Sequence, residues 1–438
     1  MSATVPQQAR AAPASRQRDA SATARFALLA ILACAVTTSI AFATTSTGDY
    51  TVHGSVGGDN AGPAIDALIH GNLGGYVAHQ PAIGLVSLLV RAPFAALASL
   101  LGGGGLLTYR LGAAACLLSL GPFAAWLVLR RRPPGVGWIP GVAAAVLLLL
   151  SPAVRDAVQS GHPEDVLAGV LATVAVIAAT RGHARWAAVI LGLAIGSKPW
   201  AGIAVAPVLV AVPGERTRTL LIAGALTLAL TAIAPLADPA AFVRSLHGEG
   251  ATHLVNALSF WWPVSSPVHL ASGVLVSTRA LPFGMGRSAA SLIGLAAALM
   301  LLALGWNYAR HRGRACDALA LLALLGVMRC AIDSTHLYYY YLVVLLPLVV
   351  WETVGLDRPP LVGALATVAV FLIPGTATHL APAALSAASI AGTVLFGCYP
   401  ALHVLGPVAA DGHVLMRSAS LTGWERWRAQ SSSGCSRR

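Results

Sequence analysis

The sequence predicts an all-α fold, a polytopic transmembrane bundle of about 12 spans, within a range of roughly 10 to 13. Three observations lead there. Of 438 residues, 57% are hydrophobic and 10% charged, and the mean hydropathy is +0.74, whereas a soluble domain carries about 25% charged residues. So few charges cannot cover a water-facing surface, which makes lipid the main solvent. Apolar runs such as 26–43, 142–150, 220–234 and 337–350 recur along the chain, and several approach the ~20 residues that cross a ~30 Å hydrocarbon core. Basic residues fall in short clusters between those runs, as topology determinants do.

That distribution also bounds the partners. A net charge of +12 would suit nucleic acid if it formed one face, but clusters separated by apolar runs point to the bilayer instead. Cys34, Cys116, Cys316, Cys330, Cys398 and Cys435 are scattered without CxxC spacing, so neither a disulfide framework nor a zinc site is expected. They read as small buried apolar side chains. No cofactor is expected.

Residues 1–25 are rich in Ala, Ser and Arg without apolar periodicity and read as a disordered tail. Arg10, Arg16, Arg18 and Arg25 place it in the cytoplasm. Residues 26–405 form the membrane domain, and 406–438 a second cytoplasmic tail. The first apolar run ends on Ala41-Phe42-Ala43, which resembles a signal-peptidase site; either way the chain emerges outside. The remaining basic clusters are Arg130 to Arg132, Arg181 with Arg185, Arg216 with Arg218, Arg310 to Arg314, and Arg358. Keeping them all inside requires an even number of crossings between neighbours. Runs 136–150 with 166–180, 219–236 with 288–306, and 319–331 with 337–350 supply such pairs. The stretch 186–212 is too long for one span and short for two. Gly196-Ser197-Lys198-Pro199 breaks it midway, because Pro199 lacks an N–H and disfavours helix at Lys198. Two short helices meeting near the outer face satisfy both length and charge, with Lys198 at their tip.

The first outer segment, 45–106, holds Asp49, His53, Asp59, Asp66, His70 and His79, and no basic residue before Arg91. Stretches 63–70 and 81–101 are helical in pattern and bounded by Pro and Gly. They read as helices on the outer surface, with the second span from about 107 to 129. A later outer segment, 237–287, carries Asp238, Arg244, His247, Glu249, His253, Trp261 and Trp262. With this topology Asp59, Asp66, His162, Glu164, Asp165, Lys198, Arg244, Glu249, Asp333 and His336 share one compartment. Such polar density at one face fits a substrate vestibule or an active site.

Gly161-His162-Pro163-Glu164-Asp165 opens the fourth span. Pro163 suits a first helical position and the two acids complement the helix dipole. The same His and carboxylates also make a divalent-cation set or an acid–base pair. His247-x-Glu249-x-x-x-His253 has metal-like residues but not the HEXXH spacing. Lys198 is the chain's one lysine. A compact ammonium there would hold a phosphate as a point charge, or simply snorkel to the interface.

Three stretches together resemble a known family. Gly58-Asp59-Asn60 with Ala64-Ile65-Asp66-Ala67-Leu68-Ile69-His70-Gly71-Asn72-Leu73 is similar to the first outer loop of actinobacterial polyprenyl-phosphate-mannose-dependent mannosyltransferases. Leu191-Gly192-Leu193-Ala194-Ile195-Gly196-Ser197-Lys198-Pro199-Trp200 resembles their junction between the fifth and sixth helices. Asp333-Ser334-Thr335-His336-Leu337-Tyr338-Tyr339 resembles a late outer motif. In this order, over roughly residues 26–355, they resemble the GT-C superfamily of membrane glycosyltransferases. The resemblance implies inverting transfer of a mannose-like sugar from a polyprenyl-phosphate donor to a hydroxyl of a lipid or glycan acceptor. The reaction would take place on the outer face of a bacterial plasma membrane, without a required metal, in cell-envelope synthesis. It implies Asp59 as the base, with Asp66 in support. The family's usual Val-Asp-Leu is absent, which leaves Asp49 open as the alternative. For the donor phosphate it implies Lys198, then Arg244 and His336; for substrate binding, His162, Glu164, Asp165 and Asp333. The competing readings are a multi-pass secondary transporter, which would place charges near the midplane on paired broken helices, and a non-catalytic envelope assembly protein.

Overall fold

A computed structural model describes residues 12–44, 61–78, 80, 84–130, 137–245, 254–267, 278–311, 317–334, 337–377 and 381–405. In chain order the helices are α1 (Ala12–Thr44), α2 (Ala61–Ile69), α3 (Leu73–Ala78), α4 (Leu85–Leu100), α5 (Gly105–Leu117), α6 (Leu120–Leu129), α7 (Ile139–Leu149), α8 (Pro152–Gln159), α9 (Glu164–Thr180) and α10 (Ala184–Ser197). A 3-10 turn at Pro199–Ala204 leads to α11 (Val205–Ala211), α12 (Arg216–Thr231), α13 (Ile233–Ala237) and α14 (Pro239–Ser245). Three short strands, β1 (Leu254–Asn256), β2 (Ser266–Pro267) and β3 (Thr278–Ala280), precede α15 (Arg287–His311), α16 (Ala318–Ile332), α17 (Leu342–Val350), α18 (Leu361–Ala377) and α19 (Pro382–Leu405).

The described residues are mostly helical, at 82%. Among the described residues, five helices are long and apolar enough to cross a bilayer: Ser21–Ala43, Gly105–Leu129, Ile139–Gln159, Tyr338–Gly355 and Pro382–Val404. That pattern is the one a multi-pass membrane protein shows. Five further apolar helices are shorter, among them Leu85–Leu100 and Ala184–Ser197.

Proline interrupts two of the apolar stretches. Ser151 accepts the Ala153 N–H at its Oγ (3.3 Å) and starts α8 at Pro152, bending the span that α7 begins. Lys198 is extended, at φ −149° and ψ 125°, between α10 and the turn that Pro199 starts. The two-helix hairpin expected over 186–212 is therefore present. Helices α2 and α4 occupy the two stretches expected in the first outer segment, and Gly105–Leu129 the expected second span.

Two features lie beside the expectations. Helix α1 begins at Ala12, inside the stretch read as tail, because Ala and Arg are good helix formers and extending a helix costs far less than nucleating one. The described residues are mostly helical, and β3 pairs antiparallel with both β1 and β2. Strands of two or three residues carry too little alternation to be read from sequence.

Helix α9 is the axis of the core. Nearly every residue from Glu164 to Ala179 is buried, as expected of a helix surrounded by others, and α5, α6, α10, α11, α16 and α17 pack around it. Its 17 residues span about 25 Å and separate two chemically different ends. At its C-terminal end Arg181 lies over the Trp126 ring (4.7 Å). Burial, with Arg130 nearby, pushes the Arg181 pKa down. Arg130 donates to Thr353 O and to Asp357 Oδ1 (3.0 Å), and Arg358 to Glu352 Oε1 (3.2 Å). Glu352 also accepts the Val362 and Gly363 N–H groups (3.3 and 2.8 Å), capping α18. The expected gathering of basic loops at one face is visible here for Arg130, Arg181 and Arg358.

Candidate functional site

The other end of α9 carries a buried charge cluster. Helix α8 turns into α9 over Gly161, whose φ of +86° suits glycine, and the His162 N–H donates to Ala157 O (2.7 Å). This brings Glu164 and Asp165, 0% and 3% exposed, to the positive end of the α9 dipole. Glu164 Oε1 accepts from Lys198 Nζ (3.0 Å) and lies 3.3 Å from His162 Nδ1; Oε2 faces Arg91 Nη1 at 3.4 Å. Asp165 Oδ2 stands 3.6 Å from the same ammonium, and Oδ1 accepts from Trp200 Nε1 (2.5 Å).

Five elements build the cluster. Arg91 comes from α4, the acids from α9, Lys198 from the extended link after α10, and Trp200 from the 3-10 turn. Arg329, near the end of α16, lies over the rings of Trp200 (5.5 Å) and Tyr340 (4.4 Å) and pairs with Asp333 (3.8 Å). His162 stacks on Tyr339 (4.8 Å), whose N–H donates to Asp156 Oδ2 (3.0 Å). Two carboxylates and two cations therefore meet out of water. A buried charge is tolerated when it is paired and hydrogen-bonded, which explains why these four side chains sit together. Arg91 Nε, Asp165 Oδ2 and Ser197 Oγ are buried without a hydrogen-bond partner among the described residues, and a polar ligand is most readily met beside such atoms.

The ligand atoms of His162, Glu164 and Asp165 lie within 4.8 Å of one another, a composition suited to a divalent cation. Both carboxylates, however, already face the Lys198 ammonium. A metal there would have to displace it against two positive charges, so the geometry fits an internal ammonium better than an ion.

His162, Glu164, Asp165 and Lys198 are brought together from the expected site residues. Lys198 lies at the hairpin tip as expected, but its side chain is only 14% exposed and turned onto the acids, which corrects the snorkelling alternative. Asp333 lies beside the cluster, linked through Arg329. Asp66 is not part of it: it is 73% exposed and pairs with His70 (3.4 Å) one turn on. Nor is Arg244, 68% exposed and 3.9 Å from Asp238. Asp49, Asp59 and His336 lie outside the described residues, as do His247, Glu249 and His253.

Arg91, Trp200, Arg329 and Tyr339 were not anticipated. Arg91 did carry a signal, as the sole charge inside the apolar stretch 85–100; a charge in that setting marks a buried partner. Its helix is docked by backbone. The Gly84 N–H donates to Ser197 O (2.9 Å), and a Cβ at Gly84 would stand 2.0 Å from Gly196 O. Gly84→Ala is therefore expected to destabilise the protein by about 1–3 kcal/mol, read as a lower thermal midpoint in detergent. Gly62→Ala, where a Cβ meets nothing within 4 Å, is the control, and equal midpoints would show that α4 is not held this way.

Compared with models of known protein families and with curated proteins, the chain matches none.

Proposed function

We propose that the chain is a membrane glycosyltransferase of about 12 spans that moves a mannose-like sugar from a polyprenyl phosphate to an acceptor hydroxyl. The observation that supports it is the Lys198 cluster. A Gly-x-Lys-Pro break places one ammonium, flanked by two buried carboxylates, at the end of the bundle opposite Arg130, Arg181 and Arg358. In this reading the bond between sugar C1 and the phosphate oxygen breaks and its electron pair stays on the phosphate. The acceptor oxygen attacks C1 from the other side, and its proton passes to the carboxylate of Asp59. Lys198 and Arg91 supply positive charge where the leaving phosphate gains negative charge. Glu164 and Asp165 keep those cations in place.

Incubating the purified protein with polyprenyl-phosphate mannose and a cell-envelope lipid extract is expected to give a new glycoconjugate. Absence of any product across a panel of polyprenyl-phosphate hexoses would remove the assignment. One observation favours a transporter instead: a buried ion pair on a broken hairpin. Its placement at the end of α9 rather than midway weighs against it, and substrate counterflow in proteoliposomes would decide for it.

The reading also fixes sidedness. In a background without native cysteines, Ser334→Cys and Gly57→Cys are expected to label with an impermeant thiol reagent in intact cells, while Gly214→Cys stays unlabelled. Labelling at Gly214 would put both ends of the α10–α11 hairpin on the wrong faces.

A further inference from the structure

We propose that the cleft between the start of α12 and Trp306 of α15 binds the phosphate of an anionic phospholipid. The cleft encloses about 620 Å³ and is lined by Gly214, Glu215, Arg216, Arg218 and Trp306, among others. Arg216 is anchored by its Nε donating to Leu209 O (3.1 Å), which holds the guanidinium at the end of α11. Arg218 faces Glu215 at 3.6 Å, with both side chains about half exposed. An exposed pair of this kind is weak, so Glu215 leaves Arg218 able to take a stronger anion. Guanidinium groups match phosphate oxygens in geometry as well as charge.

The two helices that carry the cleft name the source of the phosphate. Helix α12 exposes Leu221 (67%) and Leu228 (65%), and α15 exposes Leu295 (57%) and Leu299 (58%). Both helices rest on α11. Gly305 packs against Ala206 so closely that a Cβ would lie 2.3 Å from the Ala206 Cβ, which brings Trp306 to the level of the arginines. Trp306 is 47% exposed, a body and polar tip suited to the headgroup level. Exposed leucines thus lie further along both helices from a mouth of two arginines and one tryptophan, the order in which a bilayer phospholipid is built: acyl chains below, phosphate above. The α11 helix runs from Lys198's turn to this mouth, so the cleft lies at the opposite end from the charge cluster. It does not depend on the glycosyltransferase reading.

The test is native mass spectrometry of the full chain in detergent, titrated in parallel with phosphatidylglycerol, phosphatidylcholine and inorganic phosphate. The wild type is expected to hold phosphatidylglycerol in preference to phosphatidylcholine. The double variant Arg216→Ala/Arg218→Ala should lose that preference, with affinity for phosphatidylglycerol falling about tenfold. Arg216→Lys/Arg218→Lys should keep affinity within a few-fold, which separates lost charge from misfolding. Equal retention of both lipids by the wild type, or undiminished phosphatidylglycerol binding by the Ala double variant, overturns the proposal. Inorganic phosphate displacing phosphatidylglycerol at equal concentration would assign the mouth to a soluble anion and overturn it too.

Discussion

Glu164→Gln is expected to cost about 3–5 kcal/mol of stability, the size of effect seen when one partner of a buried ion pair is removed. Glu164 is 0% exposed and faces both Lys198 at 3.0 Å and Arg91 at 3.4 Å. Glutamine keeps the volume and can still accept one hydrogen bond, so the change isolates charge. It leaves Arg91 without this carboxylate, and Lys198 with Asp165 still beside it. The readout is the thermal midpoint of the purified protein in detergent, with folded yield as a second measure. Adding Arg91→Gln restores the balance of one acid to one base. The double variant should therefore recover part of the loss, with a coupling of about 0.5–3 kcal/mol. A single variant as stable as the wild type, or a double variant whose losses simply add, would show that these side chains do not act as one network. Kinetics would separate the roles: stability lost in Glu164→Gln without a change in turnover per folded molecule would make the acid a support for Lys198 and nothing more.

Asp59→Asn is expected to lower turnover by about 10²–10⁴-fold, the usual contribution of a general base. The motivation is the resemblance of Gly58-Asp59-Asn60 to the first outer loop of the mannosyltransferases and its position soon after the first apolar run. Asparagine preserves size and hydrogen bonding but cannot take the hydroxyl proton, so donor binding should survive. Asp49→Asn and Asp66→Asn are the companions. Asp66 is exposed and paired with His70 on α2, so its replacement should change turnover no more than a few-fold. Loss of activity in Asp49→Asn with Asp59→Asn intact would move the base by one carboxylate. Three active variants would take the base out of this loop, and the glycosyl-transfer reading with it.

Much of the architecture was legible because it rests on local rules. Pro199 cannot donate to a helix, so the break at Lys198 followed from two residues, and it is where the backbone turns extended. Apolar length marked Gly105–Leu129, since lipid demands internally satisfied backbone wherever it is crossed, and helical pattern bounded by Pro and Gly marked α2 and α4. The helical start at Ala12 and the small sheet escaped. One depends on propagation from a neighbouring span, the other on strands too short to show a period.

The candidate site divides along the same line. That His162, Glu164, Asp165 and Lys198 belong at one end of the bundle was set by the sequence, through the alternation of basic clusters and apolar runs. Which of them touch was decided only by the tertiary structure. Arg91 and Lys198 lie more than a hundred residues apart in the chain, and α4 and α10 meet because Gly84 lets two backbones approach. A sequence records that a buried charge exists, because an arginine interrupts apolar residues. It does not record the partner, because the pairing energy depends on distance and dielectric, and packing around α9 sets both.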